Sequence, residues 1–442
     1  MTTSSSQTLT LRITDKKFVS WPNCTIPNST IKINAKKKKI CFKRIISLYP
    51  SSPLYGITSY NISMQIIVLG RETALCLAEA EAYFGNVKKI TPQIAEIDTD
   101  KPQDINKLGG AIKLANLNYS DLSSINDVQL KIEEILQGLN TSTKLNFGLS
   151  YYGDGNINLS ALGIKIKKSL KKLGIKPRLV LPNSTSQLNA ASIKHNKLTT
   201  GGAELLIIKT GSKYMLATSY GFQDIDSYSK RDYDKPCRDR KVGMLPPKLS
   251  QIMINLTKPD AKTMIVDPFV GSGGVLIEAA LMGYSCEGSD ISQAMTDCAN
   301  NNIEWFKENF DNLGDIEVTK PQDAILRQYP NTSYSIATEG FLGSNFLSKP
   351  TIHLVKEQLP ELKKLYLDFF ENLRNQTNKP NRICVCMPFW LFPDTTIELK
   401  IIDDICQLGY TNCEFTSVRQ STLSYRREGQ FTGRQINVFE TK

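Results

Sequence analysis

The chain has 442 residues, with 54 Lys and Arg against 43 Asp and Glu, ten Cys and two His. That length accommodates two or three domains, no apolar run is long enough to span a bilayer, and the N-terminal MTTSSSQTLTLRITDKK lacks the basic-then-apolar order of a secretion signal. Ten cysteines without a regular framework or zinc-type pairs read as reduced thiols of a cytoplasmic protein, and His195 and His353 alone speak against a metal centre or histidine-based catalysis. Neither a membrane nor a metal is expected as a partner.

Residues 1–60 carry ten Lys/Arg against one Asp, and residues 156–203 carry nine against no acid, so the rest of the chain is net acidic. Charge this polarised points to a polyanion met on particular surfaces. Residues 1–62, with the run Lys36-Lys37-Lys38-Lys39, form a basic, poorly patterned extension expected to be loosely attached. From 63 to 144 the pattern tightens into a ferredoxin-like α+β unit. It has a buried strand at Met64–Gly70, a helix at Glu72–Phe84, a strand at Gly110–Leu114 and a helix at Val128–Leu136.

Residues 145–226 open with a strand at Leu145–Tyr152 and run into a basic helix, Ser160–Leu173, with Ser160 as its cap and Gly174 as its stop. Leu162, Ile166, Leu170 and Leu173 share one face, and Lys165, Lys168, Lys171 and Lys172 cover the rest. Short strands are expected at Arg178–Leu181, Ala190–Ile193 and Ala203–Ile208. The four lysines, with Arg178 and Lys194 in the same acid-free stretch, are candidates for salt-dependent, sequence-tolerant phosphate contacts. Ser227–Asp239 is polar and charged and reads as a connector, within a linker at 227–242.

The last segment, 243–442, holds the most informative stretch, Asp267 to Asp290: DPFVGSGGVLIEAALMGYSCEGSD. A short apolar strand ends in Asp267. A turn with Gly271, Gly273 and Gly274 leads into an apolar helix, and a second strand ends at Asp290. This is the opening of a doubly wound α/β domain. The turn lacks the P-loop lysine and the GxGxxG spacing. An acid at the strand end is wrong for pyrophosphate but suits a cation. Asp290, sixteen residues beyond Gly274, is placed for the hydroxyls of a ribose. A positively charged adenosine ligand without phosphate fits best, and that is S-adenosylmethionine. Further on, strands are expected at Ile316–Val318, Tyr334–Thr338 and Ile383–Met387, with a helix at Thr396–Leu408 and a closing hairpin over Leu423–Phe439.

DPFVGSGG resembles the first motif of class I methyltransferases, in the variant found in THUMP-bearing tRNA guanine-N2-methyltransferases. GMLPPKLSQIMINL (243–256) is similar to the preceding helix of those enzymes, LGGAIKLA to a stretch of their ferredoxin-like unit, and SYSKRDYDKPCRD and YRREGQFTGR to two further segments. The resemblance covers about residues 63–442. It implies a Rossmann-like class I methyltransferase domain at 243–442, preceded by ferredoxin-like and THUMP-like regions, the latter binding tRNA. It implies an S-adenosylmethionine site at Asp267, Phe269, Gly271, Ser272, Gly273, Gly274, Asp290, Ile291, Asp323 and Ala324, and contacts of Arg426 and Arg427 with the RNA backbone.

At the exit of the strand Tyr334–Thr338, enzymes that methylate exocyclic amines carry Asp/Asn-Pro-Pro-Tyr/Phe. A guanine amine is a poor nucleophile because its lone pair is delocalised, so an acceptor must hold it in line with the methyl group, and an aromatic ring stacks on the base. Here Glu339 stands for the Asp/Asn, Gly340 for the first proline and Phe341 for the ring, so Glu339 and Phe341 are the catalytic candidates and Gly340 is expected to loosen the loop. Methylation of tRNA guanine N2 leads. Adenine-N6 methylation of RNA or DNA, a non-catalytic RNA-binding relative and an accessory subunit stay open.

Overall fold

Runs of β-branched and other apolar residues build the strands, and amphipathic segments build the helices that cover them. The computed structural model describes residues 64–99, 101–139, 144–183, 185–238, 244–311, 313–317, 320–344, 346 and 348–442; the extension assigned to 1–62 lies outside them. The first part comprises β1 (Met64–Leu69), α1 (Thr73–Phe84), β2 (Val87–Thr91), β3 (Ile94–Asp98), β4 (Ala111–Leu122), α2 (Ile125–Gly138), β5 (Leu145–Tyr152), α3 (Leu159–Lys172), β6 (Pro177–Val180), α4 (Ala190–His195), β7 (Gly202–Thr210) and β8 (Lys213–Phe222). Its eight strands form one sheet in the order β2-β3-β1-β4-β8-β7-β5-β6. The boundary expected at 144/145 therefore falls within a continuous sheet, because β4 pairs with β8 and β8 with β7. A buried ion pair crosses it: Lys113 Nζ on β4 lies 2.5 Å from Glu204 Oε1 on β7, and the Ser150 hydroxyl donates to the same oxygen at 2.6 Å.

Two local expectations, a strand at Ala190–Ile193 and the ends of the basic helix, are corrected. Ala190–Ile193 is the start of helix α4, because the Asn189 side chain accepts from Ser192 N at 2.8 Å and caps a turn where the residue pattern alone reads as strand. The basic helix is capped by Asn158, which accepts from Ala161 N at 2.8 Å, not by Ser160, and Leu173 lies past its last turn, 56% exposed. The connector is itself partly helical, α5 (Ile225–Tyr233).

The second part runs α6 (Pro247–Leu256), β9 (Met264–Asp267), α7 (Gly274–Leu281), β10 (Cys286–Asp290), α8 (Gln293–Asn309), β11 (Lys320–Pro321), β12 (Tyr334–Thr338), α9 (Ile352–Asn375), β13 (Ile383–Leu391), β14 (Thr396–Glu398), α10 (Ile402–Gln407), β15 (Tyr410–Asn412), β16 (Ser424–Tyr425) and β17 (Thr432–Thr441). Its main order is β11-β10-β9-β12-β13-β17-β15. The strands from β11 to β13 are parallel, and β17 enters antiparallel between β13 and β15. This is the expected Rossmann-like α/β domain. After β9 the chain moves to β10 and β11 on one side and then returns to β12 on the other. That reversal opens a crevice at the carboxyl ends of β9, β10 and β12, the usual binding place of such sheets. Two strand and helix expectations shift: of the strand expected at Ile316–Val318, Ile316 makes an isolated bridge with Cys286 and Val318 lies outside the described residues, and Thr396–Leu408 divides into β14 and α10.

The connector is stitched to the second part by buried polar groups. Arg231 Nε donates to Glu278 Oε1 on α7 at 2.7 Å, and Gln251 Nε2 on α6 donates to Glu278 Oε2 at 2.9 Å. Cys237 and Cys298 form a disulfide with Cα atoms 5.4 Å apart, which corrects the expectation of reduced thiols throughout. The two cysteines are 61 residues apart, and only the docking of the connector against α8 brings them together. Among the described residues no helix is long and apolar enough to cross a membrane.

Candidate active site

The apolar run of β9 delivers Asp267 to the bottom of the crevice, almost fully buried. Its Oδ1 accepts from the Thr338 hydroxyl at 2.6 Å and from Phe269 N at 3.2 Å. Burial pushes its carboxyl up to about 7, the two hydrogen bonds working against that shift. After Asp267 the chain reverses through the glycine turn, and Gly273 stands at the N-cap of α7 with φ +80°, a left-handed conformation that favours glycine. Asp290, at the tip of β10, turns both carboxylate oxygens to this turn and its own: Oδ2 accepts from Gly271 N at 3.1 Å and Oδ1 from Ser292 N at 3.0 Å.

The exit of β12 supplies Glu339 and Phe341. Arg434 Nε, from β17, donates to Glu339 Oε1, and Arg434 is only 3% exposed while the glutamate side chain keeps 21%. Burial pushes the Glu339 carboxyl above its usual range, and the Arg434 guanidinium opposes that rise, with a smaller contribution from Arg427. Gly340 has φ +66°, and a Cβ there would stand 2.5 Å from the Tyr366 hydroxyl. The expectation that this glycine loosens the loop is thereby corrected. Neither proline, whose φ is fixed near −65°, nor any residue with a Cβ fits the turn. Tyr366 on α9 donates to the carbonyls of Phe341 and Cys386, each at 3.0 Å, so the loop is pinned from below. The Phe341 side chain is 51% exposed, facing outward from that pin.

Asp267, Gly271, Ser272, Gly274 and Glu339 line one cavity of about 90 Å³, with Phe269, Met244, Leu245 and Met295 as apolar walls. The structure thus brings part of each half of the expected site, the glycine turn and Glu339 of the β12 exit loop, onto a single space, whereas Gly273, Asp290, Ile291 and Phe341 are not in its lining. Asp323 and Ala324 follow β11 and do not line the cavity. Gln322 N donates to Asp290 O at 2.8 Å and fixes the segment, Asp323 Oδ1 accepts from Ile325 N at 3.0 Å, and Ala324 is buried. Ile291 is 72% exposed at the end of β10. A larger polar cavity, about 240 Å³ and lined by Glu287, Lys320 and Arg327 among others, contains none of the expected site residues. No group of three or more His, Cys, Asp or Glu is placed to hold a metal ion among the described residues.

The basic candidates separate into three kinds. Lys165, Lys168, Lys171, Lys172 and Arg178 are exposed. Lys194 is exposed but paired with Asp226 at 2.6 Å. Arg426 and Arg427 are half-buried and fold back on the protein: Arg426 Nη1 donates to Gln430 O at 2.7 Å and Arg427 Nη2 to Met244 O at 3.1 Å. Thr338, Tyr366, Met244, Met295 and Arg434 are absent from the sequence-based site. Thr338 is signalled only by ending the strand before Glu339, and Arg434 by following Gly433 in the closing hairpin.

Residues 236–314 match the UPF0020 family: RMKL-like, methyltransferase domain. The chain is 32% identical over 158 residues to the tRNA (guanine(10)-N2)-dimethyltransferase of Methanothermobacter thermautotrophicus, a stretch covering 35% of this chain and 42% of that protein. Over 128 residues it is 34% identical to the protein of the same name from Pyrococcus abyssi, covering 27% and 36%. The matched stretches span less than half of these relatives' length. Among solved structures, TrmN from Thermus thermophilus aligns with a TM-score of 0.46 at 14% identity, over 86% of this chain and 100% of that one, a likeness too loose to bear on function. The match to the RMKL-like methyltransferase domain is thus confined to residues 236–314.

Proposed function

We propose that the chain methylates the N2 amine of a guanine in tRNA with S-adenosylmethionine as methyl donor. The observation that carries this reading is the convergence of Asp267, the glycine turn and Glu339 on one cavity at the switch point of the sheet. The donor set suits the cofactor. Asp267 is a buried acid whose carboxyl is raised to about 7 and is readily ionised by a nearby positive charge, and Asp290 offers two acceptors at the position suited to a ribose diol. When bound, S-adenosylmethionine supplies a methyl group activated by its sulfonium. The chain's own task is then to orient: Glu339 accepts a hydrogen from the guanine amine, loop carbonyls assist, and Phe341 stacks on the base. The exposed lysines of α3 and Arg178 contact tRNA phosphates, from a region read as ferredoxin-like (63–144) and THUMP-like (145–226).

The relatives' names support guanine 10 and dimethylation as the outcome, and an intracellular tRNA substrate supports a cytoplasmic place. The test is methyl transfer from labelled S-adenosylmethionine to bulk tRNA, followed by mass spectrometry of the nucleosides. Methylated N2-guanosine is expected. N6-methyladenosine would move the reaction to the other amine, and binding of both ligands with no transfer would make the chain a non-catalytic RNA-binding protein.

A further inference from the structure

The Glu339 arm is longer than the acid usually found at this strand exit, and each added torsion is freedom that must be removed before an acceptor can position an amine. The protein meets this from an element distant in sequence. β17 runs antiparallel to β13 and places Arg434 opposite Pro388 and, on its other side, opposite Tyr425. From there its Nε reaches Glu339 Oε1, 95 residues away in the chain. The pair is the more consequential because Glu339 shares its cavity with a second acid, Asp267. Two carboxylates facing one small space repel each other, and an arginine fork behind one of them is a means of holding it charged and fixed.

We infer that Arg434 is a positioning residue for methyl transfer, clamping Glu339 in the orientation in which it accepts from the substrate amine. This rests on the reading of Glu339 as that acceptor. The groups facing Glu339 are Arg434 on β17, Arg427 in the β16–β17 turn, Asp267 on β9, Tyr366 on α9 and Cys386 on β13. Arg434 is the strongest cationic influence on Glu339, so its loss leaves burial to raise the Glu339 carboxyl further against the smaller pull of Arg427.

The test compares wild type, Arg434→Gln and Arg434→Lys in single-turnover methyl transfer to bulk tRNA across pH, with S-adenosylmethionine affinity measured in parallel. Arg434→Gln is expected to slow transfer on the order of 100-fold, as for loss of another preorganised polar group at a reacting centre. Its acid limb is expected to move up by about one pH unit or more as the paired charge is removed. Arg434→Lys, with charge but no fork, is expected to restore the pH limb and only part of the rate. Cofactor affinity is expected to change less than about threefold. In the same proteins, without substrate, the carboxyl resonance of Glu339, identified by its loss in Glu339→Gln, is expected to titrate higher in Arg434→Gln. An active wild type with an Arg434→Gln protein of unchanged rate and pH profile would overturn the inference. A wild type that transfers no methyl group, with the resonance still shifting, would instead overturn the functional reading and reduce the pair to a structural clamp. If Arg434→Gln does not fold, Arg434→Lys carries the test, and a full wild-type rate there overturns the clamp.

Discussion

Thr338 donates its hydroxyl to Asp267 Oδ1 at 2.6 Å, joining the tips of β12 and β9, which flank the switch point of the sheet. The bond is made at the back of the cavity, where Asp267 is shielded from water, and burial raises its carboxyl to about 7. The unfolded value is about 3.9, so the folded state takes up the proton more tightly. The stability this confers is full at acid pH and is lost as pH rises from about 4 to about 7. Asp267→Asn resembles the protonated form. Its melting temperature is expected to match wild type near pH 4 and to exceed it increasingly up to about pH 7, levelling off above. Glu79, another buried carboxyl raised to about 7, is common to both proteins and cancels. A difference independent of pH would show that Asp267 does not titrate in this range.

The same proton bears on ligand charge. Since Asp267 must ionise to meet a sulfonium, affinity for S-adenosylmethionine is expected to rise with pH through about 7, whereas affinity for the neutral S-adenosylhomocysteine stays flatter. Calorimetry at three pH values measures both. Parallel curves for the two ligands would separate Asp267 from the positive charge.

Asp290 accepts two loop N–H groups while standing where a ribose is expected. Asp290→Ala is expected to weaken S-adenosylmethionine binding by about 1–3 kcal/mol through the removal of charge-assisted hydrogen bonds. Asp290→Asn, which retains an acceptor for the turn, is expected to fall between the two. Unchanged affinity in a folded Asp290→Ala protein would remove Asp290 from the site.

For the basic helix, replacing Lys165, Lys168, Lys171 and Lys172 by Gln is expected to lower tRNA affinity and to reduce its salt slope by about 0.7–0.9 log unit for each phosphate no longer neutralised. Lys194→Gln is expected to do less, because its ammonium is already engaged with Asp226. The opposite ranking in a salt titration would place the RNA surface elsewhere.

What is legible in the sequence is what local pattern encodes. The strand–glycine turn–helix–strand from Met264 to Asp290 reads directly, because each element is written within a few residues of the next. Leu145–Tyr152 reads just as well from its apolar run. The partners of the site are not legible, because they arrive through sheet order: Thr338 meets Asp267 across 71 residues, and Arg434 meets Glu339 across 95. The joining of β4 to β8 is hidden for the same reason, as is the disulfide between Cys237 and Cys298. At Ala190–Ile193 a single side-chain cap decides between helix and strand, and the residue pattern points the wrong way.

Gly340 is expected to resist substitution. Gly340→Ala must adopt φ near +66° with its Cβ against the Tyr366 hydroxyl, and a strained non-glycine backbone of this kind costs about 1–3 kcal/mol. Removing the hydroxyl in Tyr366→Phe is expected to reduce the added cost of Gly340→Ala without abolishing it, since the backbone strain remains. Denaturant midpoints of the four proteins in this cycle measure the two contributions. If Gly340→Ala is as stable as wild type, the loop adopts another conformation in solution.

The decisive variants are at Glu339 itself. As the acceptor of the guanine amine, with one oxygen on Arg434, the side chain must be ionised and fixed during transfer. Glu339→Gln keeps the arm length and an acceptor oxygen but loses the charge, and with it half of the ion pair with Arg434. Glu339→Ala loses both and leaves a buried guanidinium without its carboxylate, at a stability cost of several kcal/mol, so folding must be verified before rates are compared. Methyl transfer is expected to rank wild type above Gln above Ala, with the alanine barrier raised by about 2–4 kcal/mol. S-adenosylmethionine affinity is expected to stay nearly constant or to rise slightly in both variants, as one acid fewer faces Asp267 and its ionisation becomes easier. Phe341→Ala is expected to slow turnover independently, by about 1–3 kcal/mol of missing base stacking. Single-turnover rates measured below saturating and at saturating tRNA distinguish the two: the Phe341 effect shrinks as tRNA saturates, whereas the Glu339 effect persists. Equal rates for the three residue-339 proteins at saturation would leave Arg434 and Glu339 as a structural pair only.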